Sequence, residues 1–292
     1  GPSGPVHLGH LLPWFFTQHM QEVFGAHLYF QMTDDEKFLL NDNLELDTTI
    51  GYTYSNALDL IATGLDPKKT HIFSDTNDIS HIYRLSLEVA KRITFSTIRG
   101  LFGLQDSDNI GMIFFPAIQA VPCFMQSARE DRKVAVIIPA AIDQDPYWRM
   151  TRDIAEKIGY YKPAQIHSKF LPGLGPGGKM SASMPETAIF TIDPPEIATK
   201  KIMGAFTGGQ PTVREQKEKG GNPGICSIYS YYFHLFEEDD SKLITLENKC
   251  RSGALTCGDC KARLAEVIGR FLLDFQAKRE KAKDNLQDFF IK

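Results

Sequence analysis

Up to about residue 195 the chain alternates short β-rich runs with amphipathic stretches of helical spacing; after Pro194–Pro195 one helical stretch follows another. That switch constrains the fold more than any single residue does. Strand–helix alternation predicts a mostly parallel sheet with helices on both faces, and an unbroken helical run predicts a separate helical domain. HLYFQMT (27–33), THIFS (70–74), VAVIIPA (134–140) and AQIHS (164–168) read as strands, with DDEK as the loop leaving the first. Helical patterns lie at roughly 10–24, 48–63, 78–92 and 146–158, then at 195–204, 225–237, 240–251 and about 257–290. Thr256 and Asp259 form a capping pair at the start of the last one. The expected class is α/β, with domains over 1–194 and 195–292. Ligands of such sheets sit at the carboxyl ends of the strands, so the polar residues ending each run are the first candidates for chemistry.

Composition narrows the function classes. At 292 residues with 42% hydrophobic and 23% charged content, the chain can bury a real core. Its longest apolar run, Val134 to Ile142, is broken by Pro139 and is too short for a bilayer. No membrane partner is expected. Five scattered cysteines suit a reducing compartment. A net charge of −4 does not mark a nucleic-acid binder, although a local basic stripe suffices for one.

Two motifs carry chemistry. The first is H-L-G-H, with His7 and His10 around Gly9, after a GPSG turn and at the start of a helix. A helix N-terminus offers free N–H groups and partial positive charge to phosphate. Two imidazoles there can donate to phosphoryl oxygens, and Gly9 leaves bare backbone for a base or ribose. The second is GLGPGGKMSAS (173–183), a glycine-rich loop with Lys179, Ser181 and Ser183. Such a loop is suited to closing over pyrophosphate. Either motif alone reads equally well as surface or solvent loop. The pair, in this order on an α/β background, is far more specific.

Together these motifs resemble the two signatures of class I aminoacyl-tRNA synthetases. FQMTDDEK, FPAIQA, AIDQDPYWRMTRDIA and SGALT extend the resemblance over nearly the whole chain, toward the tryptophanyl branch of cytosolic eukaryotic and archaeal type. The resemblance implies a Rossmann-like catalytic domain, a helical anticodon-binding domain, a homodimer and a cytoplasmic setting. It also implies activation of tryptophan by Mg·ATP to tryptophanyl-adenylate, then transfer to tRNA(Trp), with no permanently bound cofactor.

By the same resemblance His7, His10, Lys179, Ser181 and Ser183 are catalytic, and Gly9, Asp143, Lys179, Met180 and Ser181 bind ATP. Gln31 reads the indole N–H, while Glu36, Gln119 and Gln144 set the α-ammonium. Asp34 and Asp35 stay unassigned. The second lysine of the general K-M-S-K-S pattern is here Ala182, which leaves Lys179 to carry the loop's charge. The family's first strand, with a tyrosine that shares indole recognition, is expected ahead of the G-P-S turn.

Cys257 and Cys260 form one close pair, with Cys226 and Cys250 apart from it, so no metal site is expected. The run KREKAK (278–283) reads as the solvated face of a long helix ahead of a tRNA contact. The competing readings are a tyrosyl-tRNA synthetase, a non-catalytic synthetase fragment with a binding or signalling role, and a nucleotidyltransferase activating another carboxylate.

Overall fold

The computed structural model describes all residues except 177, 179 and 181–183. Its residues pack into two compact units. One comprises 1–4, 16–169 and 283–292; the other comprises 5–15 and 170–282. The helix Leu8–Phe24 gives its first residues to the latter and the rest to the former.

In the first unit, strands β1 (Leu28–Met32) and β2 (Thr70–Ser74) pair in parallel, as do β3 (Ile137–Ala141) and β4 (Ala164–Ser168). Parallel direction is as the alternation demands; the strands form two separate two-stranded ladders. Phe290 bridges to the free side of β2: Ile72 N–H donates to the Phe289 carbonyl at 2.7 Å, and Ile291 N–H donates to the Ile72 carbonyl at 2.9 Å. Helices Leu46–Ala62, Ile79–Ala90, Phe95–Phe102, Ile110–Gln119, Pro122–Glu130 and Asp145–Ala155 surround the strands. A core of Phe73, Ile82, Val89, Phe124, Met150 and Ile154 sits among them. No single helix among the described residues is long and apolar enough to cross a membrane.

DDEK corrects the sequence reading. It is not a loop but the start of a helix, Asp34–Leu40. Three acids in its first turn complement the free N–H groups of the helix N-terminus, so a charge run that looks like a solvated turn is a start signal.

The second unit is helical: Pro195–Gly204, Val213–Lys219, Ser227–Tyr231, Asp240–Arg251 and Cys257–Ala282. The predicted cap is present, with Thr256 Oγ1 accepting from Asp259 N–H at 3.2 Å and donating to the Asp259 carboxylate at 2.7 Å. The last helix is shorter than expected and gives way to a tighter turn at Lys283–Asp288. Gly220 is a point of close approach. Its φ is +71°, and a Cβ there would stand 1.7 Å from the Arg251 carbonyl oxygen. Gly220→Ala is therefore expected to lower the unfolding free energy by more than about 1 kcal/mol, read from the urea midpoint. An unchanged midpoint would contradict this packing.

Candidate active site

In the first unit the site is built at the carboxyl ends of β1 and β2. Met32 stands opposite Ser74, so the residues after both strands leave by the same edge. Asp75 N–H donates to the Met32 carbonyl at 3.1 Å. Asp34 is fully buried, and its carboxylate accepts from the Ser74 hydroxyl at 2.5 Å, the Thr76 hydroxyl at 2.9 Å and Thr76 N–H at 3.1 Å. One carboxylate thus ties the first turn of the helix Asp34–Leu40 to the exit of β2. That gives Asp34 a structural role.

Gln31 points its amide nitrogen at three acceptors. Nε2 donates to both oxygens of Asp75, at 2.8 and 3.0 Å, and to the Ile118 carbonyl at 3.2 Å. Turning the amide over would set its oxygen against the Ile118 carbonyl, which can only accept, so that carbonyl favours the orientation with Nε2 toward it. The consequence is a buried Oε1 with no hydrogen-bond partner among the described residues. Burial and then the neighbouring Asp35 hold the Asp75 carboxyl well above the usual carboxylate range. Burial likewise raises Asp35.

Glu36, on the same helix, accepts from the Thr33 hydroxyl at 3.2 Å and faces the Lys37 ammonium at 3.4 Å. It also lines an apolar cavity of about 150 Å³ with Leu39, Met112, Phe115 and Tyr147. Burial, then the charges of Glu36 and Asp143, push the Tyr147 phenol up. Both predicted acids therefore act on one side chain. Gln144 Nε2 donates to the Asp143 carboxylate at 3.4 Å in the turn after β3. Gln119 ends the helix Ile110–Gln119, one residue beyond the carbonyl that Gln31 uses.

In the second unit, H-L-G-H is pinned by a short antiparallel bridge of His7 to Phe190. Leu8 N–H donates to the Ile189 carbonyl, and Thr191 N–H to the Val6 carbonyl, each at 2.9 Å. The two imidazoles stack with centroids 3.8 Å apart. His7 N–H donates to His10 Nδ1 at 3.2 Å, so a neutral His10 carries its proton on Nε2. Burial lowers the His7 pKa from the ordinary 6.5 to about 4. A Cβ at Gly9 would stand 3.0 Å from the His7 ring and 3.1 Å from Met180 Sδ. The structure thus brings Gly9, His7 and Met180 together. Lys179, Ser181 and Ser183 lie outside the described residues.

Two further sequence readings bear on the site. Lys278, in the basic run, is exposed and paired with Asp274 at 2.7 Å, as on a solvated helix face. Among the described residues no group of three or more His, Cys, Asp or Glu side chains is placed to hold a metal ion.

The chain matches the family model of tRNA synthetases class I (W and Y) over residues 1–273. It is 51% identical over 291 residues to a tryptophan–tRNA ligase of Thermococcus kodakarensis, covering 99% of this chain and 74% of that protein. It is 50% identical to that of Pyrococcus furiosus, with the same coverage. Among solved structures it is similar to the tryptophanyl-tRNA synthetases of Giardia lamblia (TM-score 0.93, 34% identity) and Plasmodium falciparum (TM-score 0.92, 37% identity). Each of these comparisons covers 100% of this chain and 80% of the other. The chain belongs to the class I tRNA synthetases of the tryptophan and tyrosine group.

Asp75 is the residue that sequence reasoning missed. The rule that polar residues just past a strand carry function points to it, since it follows THIFS directly.

The His7 shift has a sign. The folded state holds this proton less readily than the unfolded one, so its effect is nil above about pH 6.5 and stability is lost as pH falls from there toward 4. The unfolding free energy of the wild-type chain, relative to His7→Gln, should fall by up to about 1.4 kcal/mol per pH unit in that window. Parallel pH profiles for the two proteins would contradict a buried neutral His7.

Proposed function

We propose that this chain is a tryptophan–tRNA ligase that activates tryptophan with Mg·ATP to tryptophanyl-adenylate and passes the aminoacyl group to tRNA(Trp). The observation that carries the choice of amino acid is the buried, unpartnered Oε1 of Gln31. An indole has one N–H donor and no acceptor, the complement of a lone carbonyl oxygen. A phenol hydroxyl both donates and accepts, and Asp75 has already taken the donors of Gln31. Tryptophan is therefore favoured over tyrosine. The names of the archaeal relatives agree with this reading.

The remaining roles follow from chemistry. Glu36, which faces the Lys37 ammonium in the structure, takes the substrate's α-ammonium, assisted by Gln119 and Gln144. Asp143 receives the ribose hydroxyls of ATP. Attack of the tryptophan carboxylate on the α-phosphorus expels pyrophosphate, and His7 and His10 donate to phosphoryl oxygens as their charge grows. Gly9 and Met180 give the nucleotide its contact surface. Lys179, Ser181 and Ser183 follow the departing pyrophosphate. Mg²⁺ enters with ATP as part of the substrate. No covalent enzyme intermediate is required; positioning and electrostatics supply the rate. The same reading assigns 1–194 to catalysis and 195–292 to the anticodon, with the protein acting as a homodimer in the cytoplasm.

Amino-acid-dependent ATP–pyrophosphate exchange tests it. Tryptophan should drive exchange and tyrosine should not; Gln31→Met should raise the KM for tryptophan about ten- to a hundredfold while leaving that for ATP in place. Exchange driven by tyrosine, or by neither amino acid, would overturn the proposal.

A further inference from the structure

Four cations converge on one cavity of the first unit. Arg84 on the helix Ile79–Ala90, Arg129 on the helix Pro122–Glu130, and Arg132 and Lys133 on the loop after it line a cavity of about 530 Å³. Two acids, Glu88 and Asp131, share the lining. The chain as a whole carries a net charge of −4, so an excess of cations here runs against the average. A concave wall of one sign focuses its field on whatever enters. The helix dipole accounts for a cation at the end of Pro122–Glu130, which is Arg129. It does not account for Arg84, which reaches the same cavity from another helix.

The loop is anchored. Ser127 is buried; its hydroxyl accepts from Val134 N–H at 2.9 Å, and its carbonyl accepts from Arg132 N–H at 3.2 Å. Asp131 turns the chain between them with φ +48°. This turn holds the backbone of Arg132 and Lys133 at the cavity. Of the four cations, only Arg84 and Arg132 are in ion pairs among the described residues, with Glu88 at 3.6 Å and with Glu130. Exposed pairs of this kind contribute little and open readily. Arg129 faces the Tyr29 hydroxyl, and Lys133 Nζ lies 5.5 Å from the centroid of the Tyr161 ring. Neither contact cancels the charge.

Size and lining decide what fits. Leu85 and Met125 are buried and give the cavity an apolar surface, to which Tyr160 adds a ring. A bare phosphate would leave most of the volume empty, whereas pockets of about 300–1,000 Å³ hold small organic ligands. Apolar and aromatic surface beside several cations suits a planar body that carries several negative charges. A nucleoside polyphosphate has both parts, a base with an apolar face and phosphates that accept from guanidinium and ammonium groups. A continuous RNA strand fits less well, because its phosphates recur along the backbone and would meet Glu88 and Asp131.

We propose that this cavity binds a nucleoside polyphosphate, with the phosphates on Arg84, Arg132 and Lys133 and the base against Leu85 and Met125. The site is separate from the adenylate site. Lys133 and Tyr160 lie on the segments that enter β3 and β4, whereas Asp143 and Gln144 leave β3 at its other end. The five residues of β3, at about 3.3 Å each, stand between them. No bond is made or broken here, so this proposal and the assignment of the adenylate site survive each other's failure.

Calorimetry on the full chain tests it, with ATP and inorganic tripolyphosphate as probes, in the presence and absence of a saturating non-reactive analogue of tryptophanyl-adenylate. One ATP per chain is expected to bind with the analogue present, and tripolyphosphate at least tenfold more weakly. Arg132→Ala combined with Lys133→Ala should weaken this ATP at least tenfold, with the melting temperature and tryptophan-dependent exchange unchanged. In a chain that does not take the analogue, loss of one ATP equivalent in the double variant reads the same site. Absence of any ATP beside the analogue, a double variant that binds ATP as the unsubstituted chain does, tripolyphosphate binding as tightly as ATP, or a double variant weakened toward tRNA alone would each overturn the proposal.

Discussion

A buried carboxyl group, Asp75, holds both hydrogens of the Gln31 amide nitrogen in place together with the Ile118 carbonyl. The amide nitrogen is thereby satisfied, and the buried Oε1 is left as an acceptor with no hydrogen-bond partner among the described residues. Leaving a buried carbonyl oxygen unpaired costs on the order of 1–3 kcal/mol, which the free protein bears and a donor ligand relieves. Asp34 holds the helix that presents Asp35 and Glu36, and parallel pairing of β1 with β2 brings Asp75 beside it.

Much of the architecture was legible from pattern. THIFS and AQIHS are strands over the residues expected, and Pro195–Gly204 and Asp240–Arg251 are helices with the expected limits. Each of these is a local decision, made by β-branched or helical spacing and punctuated by proline or a cap. The Thr256–Asp259 cap is visible for the same reason. DDEK was misread because an acidic run looks alike on a solvated turn and on a helix start. Only the Ser74 and Thr76 donors, distant in sequence, bury its first residue. VAVIIPA was placed too early: the ladder begins at Ile137.

Site residues divide the same way. Gln31, Glu36, Asp143 and Gln144 were named through the resemblance to the synthetase family; Gln31 lies in β1, and the other three in the helical turns that follow β1 and β3. Asp75 occupies an equivalent exit but carries no motif; its meaning comes from a contact 44 residues away. The cationic cavity was harder still. Only Arg129, Arg132 and Lys133 are close in sequence, and it takes the packing of one helix beside another to set Arg84 on the same cavity. In the second unit, close approach at Gly9 shapes the histidine pair. Long-range packing makes these juxtapositions, and spacing alone does not encode them.

The central claim is that Asp75 fixes the polarity of Gln31 and so selects an indole donor. The most direct measurement is tryptophan binding to Asp75→Asn by calorimetry, with a thermal melt to show that the variant folds. An amide at position 75 sets a donor against the Gln31 amide nitrogen, so the flipped orientation becomes populated. The Kd for tryptophan is then expected to rise about tenfold or more, with the melt close to that of the unsubstituted chain. A folded Asp75→Asn protein that binds tryptophan with unchanged Kd would contradict the account.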